Sequence, residues 1–148
     1  MSEQLAPLPA ALDELVDDFA SVSARDRLQL LLELSDELPP LPDRYAGHAE
    51  AVEQVPECQS PLFLAVELDD ARRVHVFFDA PPESPTTRGF AGILHAGLDG
   101  LPADEVLAVP DDAPFRFGLG EAVSPLRLRG MVAMLSRVKR QVRARLAA

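Results

Sequence analysis

The chain has 148 residues and a mass of 16.0 kDa, with 47% hydrophobic and 26% charged residues and one cysteine. That length fits a single domain with a substantial core, and the apolar content excludes a disordered chain. A lone cysteine excludes an internal disulfide or a multi-cysteine zinc or iron–sulfur centre. His48, His75 and His95 are too scattered for a zinc spacing, so no metal is expected.

No stretch approaches the roughly 18 consecutive apolar residues of a spanning helix, so no membrane association is expected. Residues 1–8 read as a flexible arm without the basic residues of a signal or transit peptide. A cytoplasmic location and one domain over residues 9–148 are therefore expected. Tryptophan is absent and aromatics are 5%, which argues against a stacking platform for nucleic acid. The net charge of −10 is unevenly placed: residues up to Ser124 carry −17 and those from Pro125 carry +7. A basic C-terminal helix on an acidic body reads either as an interaction surface or as a helix salt-bridged to its own body.

The predicted elements begin with a helix over Pro9–Ser21, whose Leu12, Leu15, Val16 and Phe19 share a face. Ser23 offers an N-cap to a second helix, Ala24–Leu38. Its Leu28, Leu31, Leu34 and Leu38, widened by Leu30 and Leu32, predict burial on more than one side. Pro39 and Pro40 end it, and residues 39–57 form a proline-containing connector. Leu62–Leu68 and Arg72–Asp79, joined by Asp69-Asp70-Ala71, predict a β-hairpin, with a third strand near Ala51–Val55. His75 is expected to face solvent there. A helix over Thr87–Leu98, capped by Ser84 or Thr86, follows Pro81-Pro82. A short helical turn spans Pro102–Ala108, and residues 109–124 are loop. The last helix starts near Pro125, with Leu128, Met131, Leu135, Val138, Val142 and Leu146 on one face. This order predicts an α+β fold, a small antiparallel sheet with helices packed on one face.

Cys58 lies between Pro56 and Pro61, directly before the first hairpin strand. The polar, turn-like setting suits an accessible, reactive thiol, whereas a lone cysteine elsewhere is commonly inert and buried. No local histidine or carboxylate pair supplies a base for nucleophilic catalysis. Gly118-Leu119-Gly120 lacks the context of a phosphate loop.

Glu57-Cys58-Gln59-Ser60, followed by Phe63 in a strand, resembles the Gly-Cys-Gln-Ser-x-Val-Trp signature of the SufE family. Three further motifs are similar in order and spacing: Glu33–Leu41 at the second helix exit, Arg88-Gly89-Phe90, and Ser124-Pro125-Leu126-Arg127 with Gly130-Met131. Together they cover roughly residues 10–145. Glu57 stands where the family has glycine. That change is expected to remove positive-φ freedom and to set a carboxylate against thiolate formation.

The resemblance implies a SufE/IscU-like fold and a sulfur acceptor for a pyridoxal-phosphate cysteine desulfurase of the SufS/CsdA type. Sulfur would pass onto Cys58 as a persulfide, the desulfurase would be stimulated, and the sulfur would go on to a SufBCD-type iron–sulfur scaffold. Glu57, Gln59, Ser60 and Arg127 become candidate loop or partner-binding residues, and Leu62, Phe63 and Leu64 candidate walls of a sheltering cavity. The resemblance implies a carrier that needs no cofactor, is a monomer or weak homodimer, and leans away from a stand-alone enzyme. The alternatives left open are a desulfurase-binding activator that carries no sulfur, a thiol redox sensor or enzyme, and an interaction module using the basic helix.

Overall fold

The computed structural model describes residues 6–148. The expected arm at residues 1–8 falls mostly outside them. Of the remainder, Leu8 packs on the core and the Ala6 carbonyl accepts from Arg116 Nη1 at 2.6 Å. Helix α1 (Ala10–Ala20) buries Leu12 and Phe19, and α2 (Ala24–Glu37) starts at Ser23, whose hydroxyl accepts from the Asp26 amide. Three strands follow, β1 (Glu53–Gln54), β2 (Phe63–Leu68) and β3 (Val74–Asp79). The later helices are α3 (Pro85–Leu98), α4 (Ala103–Leu107) and α5 (Pro125–Ala147). The architecture is the α+β arrangement expected, with an antiparallel sheet in the order β1-β2-β3.

The hairpin register pairs Leu64 with Phe78 and Val66 with Val76, so these side chains line one sheet face and are all buried. Helices α3 and α5 cover that face. The opposite face carries Ala65, Glu67 and Phe77, and here the connector does the covering. Tyr45 stacks on Phe77 at 5.7 Å, Arg44 lies 5.2 Å over the Phe77 ring, and Arg44 and Tyr45 both hydrogen-bond Glu67. The proline-containing connector is therefore a second layer, held by two 3₁₀ turns at Asp43–Tyr45 and Ala49–Ala51. The hairpin turn is tighter than expected. Asp69 Oδ1 accepts from the Ala71 and Arg73 amides and Arg72 sits at φ 62°, so β3 begins at Val74 and not Arg72.

Helix α2 differs from its predicted breadth. Leu31 is fully buried but Leu28 is 38% exposed, and Leu30 and Leu34 are only half-buried. The reason lies on α3. A Cβ at Gly89 would fall 2.6 Å from Leu31, and one at Gly92 would fall 2.4 Å from the Leu34 carbonyl oxygen. Two glycines let α2 sink onto α3 along one narrow strip, and the rest of α2 faces outward. Arg88 fastens the same junction by donating to the carbonyls of Ala80 and Ser35. Helix α3 starts at Pro85, ahead of the predicted Thr87. Ser84 is its N-cap residue but makes no side-chain capping bond, and the proline at the first helical position supplies a pre-set φ.

His75 is half-buried instead of facing solvent freely. Its Nε2 lies 2.9 Å from Asp69 Oδ2 and its Nδ1 3.6 Å from Asp99 Oδ1, and these carboxylates hold its pKa above the usual 6.5. A histidine with a raised folded-state pKa contributes stability that is complete below about 6.5 and is lost as pH rises through the raised value. The urea midpoint of the wild-type protein is therefore expected to fall between about pH 6 and about pH 8.5, and that of His75→Gln to fall less. Parallel pH profiles for the two proteins would contradict the assignment.

Candidate functional site

The sole cysteine sits at the end of a 3₁₀ turn, Pro56–Cys58, wedged between β1 and β2. Pro56 opens the turn and pre-sets its φ, and the Val55 amide ties it to the sheet by donating to the Leu62 carbonyl. The turn closes through Gln59 at φ 62°. The left-handed residue is thus Gln59 and not Glu57, which corrects the expectation that Glu57 costs the loop its backbone freedom. Glu57 lies inside the turn, where any residue fits.

The side chain of Cys58 points inward. It is 5% exposed, and its Sγ lies 3.7 Å from the Gly130 carbonyl oxygen. The polar setting suits an accessible thiol and the resemblance a sheltered one, and at rest the thiol is buried. The polar sequence around the cysteine describes the outer side of the turn, with Glu57 and Gln59 exposed, while Cys58 packs onto α5. Gly130 makes this possible, because a Cβ there would lie 3.1 Å from both the Cys58 Cα and Sγ. Burial drives the thiol pKa up to about 12, the neighbouring Glu57 carboxylate adds to the rise, and Arg137 opposes it. The expected antagonism of Glu57 is present, second to burial.

Ser60 ties the loop to α3: its hydroxyl lies 2.9 Å from that of Thr87, a buried threonine. Glu57 reaches α5, where Arg137 Nη1 lies 3.1 Å from its carboxylate oxygens. Gln59 is exposed and has no such tether. Arg127 also stands apart. Its amide donates to Ser124 Oγ at the start of α5, but its exposed side chain makes no salt bridge among the described residues. Among the described residues its guanidinium hydrogen-bonds no residue of the Cys58 loop, which leaves the partner-binding reading of Arg127 open. Phe63 does not shelter Cys58 either. It faces a groove of about 500 Å³ beside the connector, with Leu41, Pro42, Tyr45 and Val52, while Leu62 and Leu64 are buried in the core.

Three site residues escaped the sequence reading as such: Gly130, Thr87 and Arg137. Gly130 was visible within a motif, but its spacing from Cys58 carried no sign of contact. Among the described residues no His or carboxylate hydrogen-bonds the thiol, whose partner is a backbone carbonyl. Nor does any group of three His, Cys, Asp or Glu there form a metal-binding cluster.

The basic residues of α5 are largely consumed by the acidic body. Arg137 and Arg140 pair with Glu53, and Gln141 donates to it. Lys139 is buried and donates to the Val109 carbonyl and Asp111. Arg145 donates to the Val66 carbonyl while Gln141 accepts from the Val66 amide, completing the β2 edge where the two-residue β1 has run out. Of the two readings of the basic helix, internal bonding accounts for Arg137, Lys139, Arg140 and Arg145.

The pattern of the Fe-S metabolism associated domain, SufE, matches residues 13–142. The chain belongs to the SufE family. It is 58% identical over 138 residues to a SufE-like protein of Mycobacterium tuberculosis, covering 93% of this chain and 95% of that one. SufE-like protein 1, chloroplastic/mitochondrial, of Arabidopsis thaliana is 29% identical over 140 residues, 94% of this chain and 36% of that protein. A solution structure of a hypothetical protein from Thermus thermophilus superposes with a TM-score of 0.84 at 37% identity, covering 96% of this chain and 100% of that one. Membership places the protein in iron–sulfur metabolism and implies a cysteine desulfurase as partner. No helix among the described residues is long and apolar enough to cross a membrane.

The seat at Gly130 makes a direct prediction. Gly130→Ala is expected to push the Cys58 turn off α5, destabilising the protein by about 1–3 kcal/mol and raising the rate of Cys58 alkylation by iodoacetamide. Urea unfolding and a quenched alkylation time course measure both. A fully stable variant with unchanged alkylation would show that the contact does not hold the turn.

Proposed function

We propose that the protein is a sulfur acceptor that takes sulfane sulfur from a pyridoxal-phosphate cysteine desulfurase onto Cys58 and delivers it to a SufBCD-type iron–sulfur scaffold. The observation carrying this reading is the seating of the chain's only cysteine, in a family-matched turn, against the glycine of a second family-like motif. A carrier needs one thiol and no neighbour able to discharge it, and a second cysteine would convert a persulfide into a disulfide. The chain has none.

The transfer is an exchange without net oxidation. The Cys58 thiolate attacks the outer sulfur of the desulfurase persulfide and forms a new S–S bond. The partner's S–S bond breaks, its electron pair stays on the partner cysteine, and that cysteine is regenerated as thiolate. The outer sulfur leaves as part of a Cys58 persulfide, and the protein supplies no redox equivalent. Because the resting thiol is buried with a pKa raised to about 12, the turn must lift from Gly130 before the attack. Glu57, Gln59 and Ser60 then form the rim that meets the partner, and Arg127 supplies an exposed charge on the same end of α5.

Burial of Cys58 favours one second reading, a desulfurase-binding activator that carries no sulfur. Mass spectrometry separates the two. After incubation with a desulfurase and cysteine, the wild-type protein is expected to gain about 32 Da at Cys58, the mass of one sulfur atom, and Cys58→Ser none. A wild-type protein that binds the desulfurase but gains no mass would establish the activator reading instead.

Alanine production gives the matching kinetic prediction. A stoichiometric amount of wild-type protein is expected to raise desulfurase turnover several-fold, and Cys58→Ser, folded by circular dichroism, to leave it near the basal rate. Equal stimulation by the two proteins would remove sulfur acceptance as the cause.

A further inference from the structure

The charge network beside Cys58 has a geometry that its role in stability does not explain. Arg137 projects from α5 and bridges two carboxylates that belong to different parts of the same hairpin entry. Its Nε lies 3.1 Å from Glu53 Oε2 on β1, and its Nη1 lies 3.1 Å from Glu57 in the cysteine turn. Glu53 is held independently by Arg140 and Gln141, so the anchored half of the network survives without Glu57. Glu57 has Arg137 as its ion-pair partner among the described residues. The side chain of Arg137 is 19% exposed and that of Glu57 48% exposed, so the turn's half of the pair is the half a partner can reach.

We propose that Arg137 is a positioning residue for Cys58. With Glu57 it forms a charge latch that closes the Cys58 turn onto Gly130, and a cationic side chain on the desulfurase opens the latch by taking Glu57. The proposal rests on the reading of Cys58 as the sulfur acceptor. Its chemical basis is the exchange of one ion pair for another. The Glu57 carboxylate leaves Arg137 for the partner's cation, Arg137 keeps Glu53, and no charge is left buried and unpaired. Glu57 itself, 48% exposed, and the chain's net charge of −10 suit a basic group on the partner. The same exchange exposes the thiol, because Glu57 and Cys58 are consecutive in one 3₁₀ turn.

The latch is tested on the protein alone, by the rate of Cys58 alkylation with iodoacetamide at fixed pH. Arg137→Gln is the informative variant because two explanations predict opposite signs. If Arg137 acts only as a positive charge near the thiol, its loss disfavours the thiolate and slows alkylation. If it latches the turn, its loss exposes the thiol and accelerates alkylation, and an increase of about tenfold is expected. Arg137→Lys, which keeps one charge and loses the second contact, is expected to fall between. A rate for Arg137→Gln at or below that of the wild type would overturn the latch. Should Arg137→Gln fail to fold by circular dichroism, the wild-type protein decides. Its alkylation is expected to accelerate several-fold between about 20 mM and about 1 M sodium chloride, and that of Glu57→Gln to stay flat. Identical salt profiles for the two would overturn the proposal.

The partner's cation is tested by direct binding to the desulfurase without cysteine, so that no sulfur moves. Both Glu57→Gln and Arg137→Gln open the turn, but only the first removes the group the partner is to take. Arg137→Gln is expected to bind several-fold more tightly than Glu57→Gln, and equal dissociation constants would overturn this half of the proposal. Neither measurement depends on sulfur acceptance. A failed latch would leave the mass gain at Cys58 intact, and a failed mass gain would leave the latch standing.

Discussion

The contact between Gly130 and Cys58 sets the terms for the whole of this end of the molecule. An α-helix presents side chains all round, and a turn can lie flat on it only where a side chain is missing. Here the missing Cβ brings the backbone of α5 to within reach of the sulfur. From that contact follow the inward direction of Cys58 and the placement of its neighbours. With the sulfur down, Glu57 is directed along α5 to Arg137, and Ser60 lies against Thr87. The two tethers run to different helices, and the peptide between them carries the reactive group.

Electrostatics shape the rest of α5. Its positive charge looks like an interaction signal when counted along the chain, but much of it is already answered within the fold. Lys139 is the clearest case: a buried ammonium with a carbonyl and a carboxylate as partners, at a position where an unpaired charge is not tolerated. Gln141 and Arg145 serve the sheet, satisfying an amide and a carbonyl of Val66 that the two-residue β1 leaves open. Arg137, Lys139, Arg140 and Arg145 are thus structural, and the exposed Leu126 and Arg127 mark the half of the helix nearer Gly130 as facing outward.

Much of this was readable in the sequence where periodicity and stop signals act locally. The period-2 run Val74, Val76, Phe78 marks a strand face, Ser23 caps the helix it precedes, and the α5 stripe buries from Leu128 to Val142 as its spacing demands. What failed was tertiary. Leu28 belongs to a helical apolar pattern yet lies outward, because Gly89 and Gly92 concentrate the α2 contact on a strip that excludes it. His75 alternates outward on its strand, but Asp69 and Asp99 come to it from a turn and a helix end that periodicity does not relate. At the site, the polar sequence around Cys58 suits an accessible thiol, yet the side chain is buried. Polar neighbours report the environment of the turn's outer side, whereas the cysteine's own environment is fixed by Gly130, 72 positions away. Arg137 was missed for the same reason, since nothing in its helix marks it among the other arginines.

Burial and reactivity are consequently one variable in this protein. A thiol whose pKa is raised to about 12 is almost wholly protonated near neutral pH, so the closed turn is a poor nucleophile and a poor target for oxidants. Lifting the turn removes the burial that contributes most to that shift, so exposure and ionisation arrive together. Binding can drive this only if a partner prefers the open turn to the closed one, since a surface with equal affinity for both shifts nothing. The preference has to come from groups that move with the turn, and Glu57 and Gln59 are exposed on either side of the cysteine, which is why the proposed latch is built on Glu57. With the turn down, the Glu57 carboxylate raises the thiol pKa and holds Arg137, and under the proposed latch the same carboxylate is the group the partner's cation takes.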